Sequence, residues 1–258
     1  MDLSSLKAVA AAAFACLDLT ELGDSATEEA TLSLVERAIN DHGSAAAVCI
    51  WPRFVAAARK KLGENSPVRI ATVVNFPSGD LPVDKVVAET AGAVADGADE
   101  IDLVIPWKAF VAGDEKAVRE MIRAVRAAAP APVTLKTILE TGEIKDPALI
   151  ARASDIALEE QADFIKTSTG KVAVNATLES ARIMLEAIRR SDRKAGFKPA
   201  GGIRTVEDAR AYFALCDEIL GPGWVAPANF RFGASGLLGD IIATLEDRSK
   251  LAGQGEAY

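Results

Sequence analysis

The sequence has a single histidine, His42, and three cysteines, Cys16, Cys49 and Cys216, in 258 residues. One histidine excludes a histidine-cluster metal site and weighs against a Ser-His-Asp triad. The cysteines are far apart and include no C-x-x-C pair, which disfavours a disulfide framework or a structural zinc site. No apolar run approaches the ~18 residues of a membrane-spanning helix, and no cationic segment precedes a short apolar one at the N-terminus. A cytoplasmic protein with no membrane partner is expected. Net positive charge is also lacking. The formal charge is −8, so non-specific nucleic-acid binding is not expected. Aromatics are scarce at 5%, yet half of the residues are hydrophobic, an ordinary composition for an α/β protein with a sizeable core.

The patterning alternates. Helical segments are expected at 4–13, 27–40, through Lys61, and at 83–96, 117–129, 147–160, 177–190, 205–215 and 237–245. Strands are expected at 14–19, 46–50, 69–76, 100–105, 133–139, 163–166, 195–199 and from Phe230. Asp146 followed by Pro147, and Thr205 with Asp208, are helix-start signals. Eight strands separated by helices, at roughly 30 residues per unit, predict one α/β domain over 1–258, a (β/α)8 TIM barrel with an extra N-terminal helix. A doubly wound sheet is the alternative. Residues 246–258 read as a mobile polar tail.

In a barrel of this kind the chemistry lies at the C-terminal ends of the strands. Charged residues inside the expected strands are few: Asp18, Asp102, Lys136, Lys166 and Lys198. One such residue would pass as a rim residue or half of an ion pair. Five converging on one mouth are costly to bury without a function. A lysine in the apolar run Phe164-Ile165-Lys166 favours a neutral, nucleophilic amine, as Schiff-base catalysis requires. A second lysine nearby lowers its pKa further, and Asp102 suits proton transfer. The residues alone leave open which lysine is the nucleophile.

Three loops carry glycine and hydroxyl residues after the late strands: Thr169-Gly170-Lys171, Gly201-Gly202-Ile203-Arg204 and Gly233-Ala234-Ser235-Gly236. Together they suit a phosphate held by backbone amides. Gly170-Lys171-Val172 is not a P-loop, since the upstream glycine and the following Ser or Thr are missing. Cys49 has the character of a small buried core residue and is a candidate for the pocket border.

Leu17-Asp18-Leu19-Thr20, Ala71 to Pro77, Ala98 to Asp102, Phe164 to Lys171, Gly196 to Gly202 and Arg231 to Ser235 together resemble the deoxyribose-phosphate aldolases. The resemblance covers essentially the whole chain, and Lys-Thr-Ser-Thr-Gly-Lys followed by Lys-Pro-Ala-Gly-Gly is its most specific part. It implies a class I aldolase that uses no cofactor or metal, acts on small phosphosugar and aldehyde partners, and forms a homodimer. It implies Lys166 as the Schiff-base lysine, Lys198 as the cation that lowers its pKa, and Asp102 as the proton relay. Tyr258, at the C-terminus, is implied as a proton-transfer residue. Asp18 and Lys171 are implied around the sugar, and Gly170, Gly201, Gly202, Gly233 and Ser235 around the phosphate; Cys49, Lys136, Thr167 and Gly236 complete the expected substrate-binding set. At Gly236 the family pattern has a serine, so one hydroxyl donor is missing here. The competing readings are a Schiff-base aldolase with another donor and a non-catalytic phosphosugar-binding barrel. A metal-dependent aldolase fails for want of histidine ligands.

Overall fold

The computed structural model describes residues 5–248, which form a parallel eight-stranded barrel. Its strands are β1 (Leu17–Glu21), β2 (Ala47–Ile50), β3 (Arg69–Val74), β4 (Glu100–Val104), β5 (Thr134–Ile138), β6 (Phe164–Lys166), β7 (Gly196–Lys198) and β8 (Phe232–Ala234). Each is followed by a helix: α2 (Glu28–Arg37), α3 (Val55–Leu62), α4 (Val83–Ala95), α5 (Glu115–Ala128), α6 (Pro147–Glu159), α7 (Leu178–Arg190), α8 (Val206–Leu220) and α9 (Leu237–Leu245). α1 (Leu6–Ala15) precedes them and packs against α8 and α9.

Sequential strands pair in parallel from β1 through β7, and β8 pairs with β1. The last seam is closed by parallel bridges from Phe197 to Phe230 and from Ala200 to Gly233. These residues are three apart on both chains, so the register holds across the seam. Strands buried on both faces read as continuous apolar runs, as expected for a sheet covered by helices. β2 is wholly buried, and β3 is buried after Arg69. Tyr212 and Phe213 of α8 pack on Phe230 and Phe232 with ring centroids 5.1–6.3 Å apart. That aromatic cluster fills the space behind the closing seam. Burying a side chain of this size stabilises the fold by about 1.5–3 kcal/mol.

Helix starts follow the local chemistry. Asp146 Oδ1 accepts from the Ala148 and Leu149 amides, with Pro147 at the first turn of α6. Thr205 and Asp208 form a reciprocal capping box at α8, and Thr27 caps α2. Several expectations need correction. Phe14 belongs to α1, which runs to Ala15 before Cys16 caps it, so β1 begins only at Leu17. α2 stops at Arg37 because Ile39–Asn40 pairs with Gly43–Ser44 in a small hairpin. α8 extends to Leu220, ending at Gly221. The short helices Trp107–Val111 and Thr141–Ile144 lie in stretches for which no element was expected.

No helix among the described residues is long and apolar enough to cross a membrane. The expected tail and Tyr258 fall almost entirely outside the described residues, which end at Arg248.

Candidate active site

The ladder sets the heights of the strand charges. Lys166 is level with Lys198, while Asp102 is level with Lys136, which pairs in turn with Phe164. Side chains alternate along a strand, so Phe164 and Lys166 point to the same side, one layer apart. Lys136 therefore lies a layer below Lys166. All five charges meet inside the barrel.

Asp102 is the centre. Its Oδ2 accepts from Lys166 Nζ at 2.8 Å and from Lys198 Nζ at 2.7 Å. Its Oδ1 accepts from Lys136 Nζ at 2.6 Å. Lys198 Nζ also donates to Asp18 Oδ2 at 2.5 Å. Two further charges complete the cluster. Arg231 donates to Asp18 Oδ1 at 2.7 Å and to both oxygens of Glu100, at 2.9 and 3.1 Å, and Lys136 reaches Glu100 at 2.6 Å. Glu100 and Arg231 were not among the expected site residues. Glu100 sits at a strand entrance beside Asp99, where a charge passes for solvated, and Arg231 lies between two phenylalanines in a stretch read as strand and loop. An arginine flanked by aromatics in an apolar run was the available signal.

Burial alone disfavours every charge here, and the geometry decides which survive. For Asp102 the three ammonium groups outweigh burial and hold its carboxyl well below the usual range. Lys198, Arg231 and Lys136 do the same for Asp18. Lys198 is desolvated too, but the carboxylates of Asp102 and Asp18 keep its pKa above that of an ordinary lysine. Lys166 goes the other way. It shares its one carboxylate with two competing ammonium groups, so burial, helped by Lys198, lowers its pKa. The buried Cys49 thiol is pushed up, with Sγ 4.0 Å from Asp102 Oδ2.

A cavity of about 710 Å³ opens above this cluster at the C-terminal ends of the strands. Of the cluster lysines only Lys166 lines it, with Thr169, Gly170, Lys171, Gly201, Gly202, Gly233, Ser235 and Gly236. Lys171 also donates to Asp24 Oδ1 at 2.8 Å. Asp18, Cys49, Lys136 and Thr167, expected among the substrate-binding residues, are fully buried and lie behind the wall rather than on it. Asp18 holds Lys198 and Arg231, and Lys136 holds Asp102 and Glu100. Thr167 Oγ1 accepts from the Ala200 amide at 3.0 Å, tying the β6 loop to the β7 loop. Thr20 and Asn175 are lining residues outside the expected set, and Ile203 and Arg204 line the cavity from the second of the expected glycine loops.

The glycine loops have the geometry of an anion site. Gly170, Gly202, Ser235 and Gly236 line the cavity, and none of their amides has an acceptor among the described residues. At Gly201 the φ of +82° and an Asn175 atom 2.7 Å from the position of a Cβ leave room for glycine alone. At Gly233 a Cβ would lie 3.1 Å from Lys198 Cε, so the missing side chain lets β8 approach the lysine. Among the described residues no group of three His, Cys, Asp or Glu side chains is arranged to hold a metal ion. The three central carboxylates instead face ammonium and guanidinium groups.

Residues 13–235, well over half of the chain, match the model of the DeoC/LacD family aldolases. A curated deoxyribose-phosphate aldolase of Agrobacterium fabrum (strain C58) is 61% identical over 245 residues, covering 95% of both chains. A crystal structure of a candidate deoxyribose-phosphate aldolase from Toxoplasma gondii ME49 superposes with a TM-score of 0.86 at 25% identity, covering 95% of this chain and 97% of the other. The deoxyribose phosphate aldolase of Aeropyrum pernix shares the fold, with a TM-score of 0.74 at 24% identity over 93% of this chain and 92% of its own. By the match over most of its length, and by a relative sharing three residues in five, the chain belongs to the DeoC/LacD family of aldolases.

Proposed function

We propose that this aldolase reversibly cleaves 2-deoxy-D-ribose 5-phosphate to D-glyceraldehyde 3-phosphate and acetaldehyde through a Schiff base on Lys166. One observation carries the assignment. Lys166 is the one cluster lysine that lines the cavity, and it is the one whose pKa is lowered. Charge balance supports it. Asp18, Glu100 and Asp102 are matched by Lys136, Lys198 and Arg231, so the buried cluster is electroneutral with Lys166 uncharged. Arg69 touches Glu100 at 3.0 Å from a half-exposed position, where solvent screens its charge. A protonated Lys166 would be the surplus cation within this ion-paired cluster, with which the nearby buried Glu140 makes no ion pair.

The neutral amine attacks C1 of the open-chain sugar, and the carbinolamine takes up a proton and loses water to give an iminium ion. Loss of the proton from the C3 hydroxyl then lets the C2–C3 bond break. Its electron pair flows into C1–C2, forming an enamine on Lys166 and releasing glyceraldehyde 3-phosphate. Protonation of C2 and hydrolysis of the resulting iminium release acetaldehyde and regenerate the amine. Asp102, held ionised, exchanges protons with the reacting centre through water, and Lys198 stays charged beside it. Asp18 acts through Lys198 rather than on the sugar. Tyr258, implied as the donor to C2, lies outside the described residues.

The phosphate is held by the unpaired amides of Gly170, Gly202, Ser235 and Gly236, with Lys171 and Arg204 as lining cations. The partners are accordingly a small phosphosugar and two aldehydes. A coupled assay for glyceraldehyde 3-phosphate released from deoxyribose 5-phosphate tests the reading, with synthesis from acetaldehyde compared against ketone donors. Release of the triose and acceptance of acetaldehyde but not a ketone are expected. Turnover only with ketone donors would assign another substrate.

A further inference from the structure

Glu140 is a fully buried carboxyl that none of these steps uses. It follows the C-terminal end of β5, on the reactive face of the barrel, with a left-handed backbone at φ +62° and ψ 57°. A left-handed conformation at a residue with a side chain is uncommon and costs energy, and so does an acid without solvent. Burial pushes its pKa up, against the hydrogen bonds from Thr169.

Both carboxyl oxygens go to one residue. The Thr169 amide donates to Oε1 at 3.2 Å and the Thr169 hydroxyl donates to Oε2 at 2.6 Å. The same hydroxyl oxygen then accepts the Lys171 amide at 3.1 Å. The backbone crosses in the same place, with the Thr141 amide donating to the Thr167 carbonyl at 3.0 Å. Three consecutive amides are thereby sorted. Those of Thr169 and Lys171 are used inside the loop, and that of Gly170, at φ +84°, is left without an acceptor among the described residues.

We infer that Glu140 is a positioning residue for anion recognition, setting through Thr169 the turn that leaves the Gly170 amide free for the substrate phosphate. The inference rests on the proposed function, in which this cavity takes a phosphorylated sugar. A carboxylate behind an anion loop is tolerable because its charge is met by two donors on the loop itself. Only the neighbouring amide is then left to the ligand.

The test compares phosphorylated and unphosphorylated substrate. Glu140→Gln keeps size and burial but cannot accept on both arms. The new amide meets Thr169 Oγ1 as a donor, so the hydroxyl loses the acceptor that fixes it and the turn loses that anchor. KM for deoxyribose 5-phosphate is expected to rise about tenfold, with the inhibition constant of inorganic phosphate rising in parallel. The kcat/KM for 2-deoxyribose should stay within about twofold of wild type. Thr169→Val should reproduce the effect, the double variant should be no worse than either, and Thr169→Ser, which keeps the hydroxyl, should restore wild-type values. Equal losses on both substrates would make Glu140 a folding residue only and overturn the inference, as would additive losses in the double variant. A wild-type enzyme with no preference for the phosphorylated sugar would instead remove the function on which the inference stands.

Discussion

Lys166 and Lys198 donate to the same oxygen, Asp102 Oδ2, at 2.8 and 2.7 Å. Two lysines compete for one lone-pair region, and the outcome is decided elsewhere. Lys198 has a second carboxylate, Asp18, at 2.5 Å, and keeps its proton. Among the described residues Lys166 has no second carboxylate within ion-pair distance, and it faces the cavity. The asymmetry between two otherwise similar side chains suits one to the proposed role of nucleophile and the other to that of a fixed charge.

Replacing the fixed charge should therefore retune the nucleophile. The lowered Lys166 pKa predicts that kcat/KM of the native enzyme should rise with pH as Lys166 loses its proton, at a pH below the ordinary lysine range. Lys198→Met removes a cation that disfavours protonated Lys166 and leaves Asp102 freer to favour it. Both changes raise the Lys166 pKa. The acid limb of the pH profile should move to higher pH, and an unmoved limb would mean that Lys198 does not tune Lys166.

Asp18 holds the other side of Lys198 and also Arg231. Asp18→Asn leaves two buried cations short of a partner, a change expected to cost about 3–5 kcal/mol. That is on the order of 10 °C in Tm for a chain of this size. The sign of the pH dependence also follows. The carboxyl is held below its ordinary value when folded, so its contribution is present above about pH 4 and is lost as pH falls through the folded pKa. Thermal melts between pH 7 and pH 2.5 should show the native protein declining at the acid end and the variant declining less steeply.

Much of this site was legible in the chain because its charges interrupt apolar strands. Asp18, Asp102, Lys136, Lys166 and Lys198 stand out where a buried strand should carry none, and the barrel brings them together as expected. Glu100 and Arg231 were harder to read, since their importance lies in a contact across the barrel. Arg231 meets Glu100 131 positions away in the chain, and no local pattern encodes such a pair. The same limit explains the two short helices and the hairpin, which span too few residues for a period to show. Lys136 shows a subtler failure. Its strand and its inward direction were right, but the layer decides whether a side chain reaches the cavity, and that depends on register.

Gly236 offers a gain-of-function test. Its backbone is right-handed helical, at φ −89° and ψ −15°, and a Cβ there meets nothing within 4 Å. Gly236→Ser therefore fits without strain and adds one hydroxyl donor beside the unpaired amides. A hydrogen bond of about 1 kcal/mol should lower KM for deoxyribose 5-phosphate roughly fivefold and leave kcat unchanged. Steady-state kinetics that show an unchanged KM would place the phosphate away from this residue.

The most direct measurement is capture of the covalent intermediate. The protein is incubated with deoxyribose 5-phosphate and sodium borohydride, digested, and mapped by peptide mass spectrometry. A reduced adduct on Lys166, absent from Lys166→Met, is the predicted result. An adduct on Lys198 or Lys136 would contradict the assignment of the neutral amine, and turnover without any adduct would contradict the Schiff base itself.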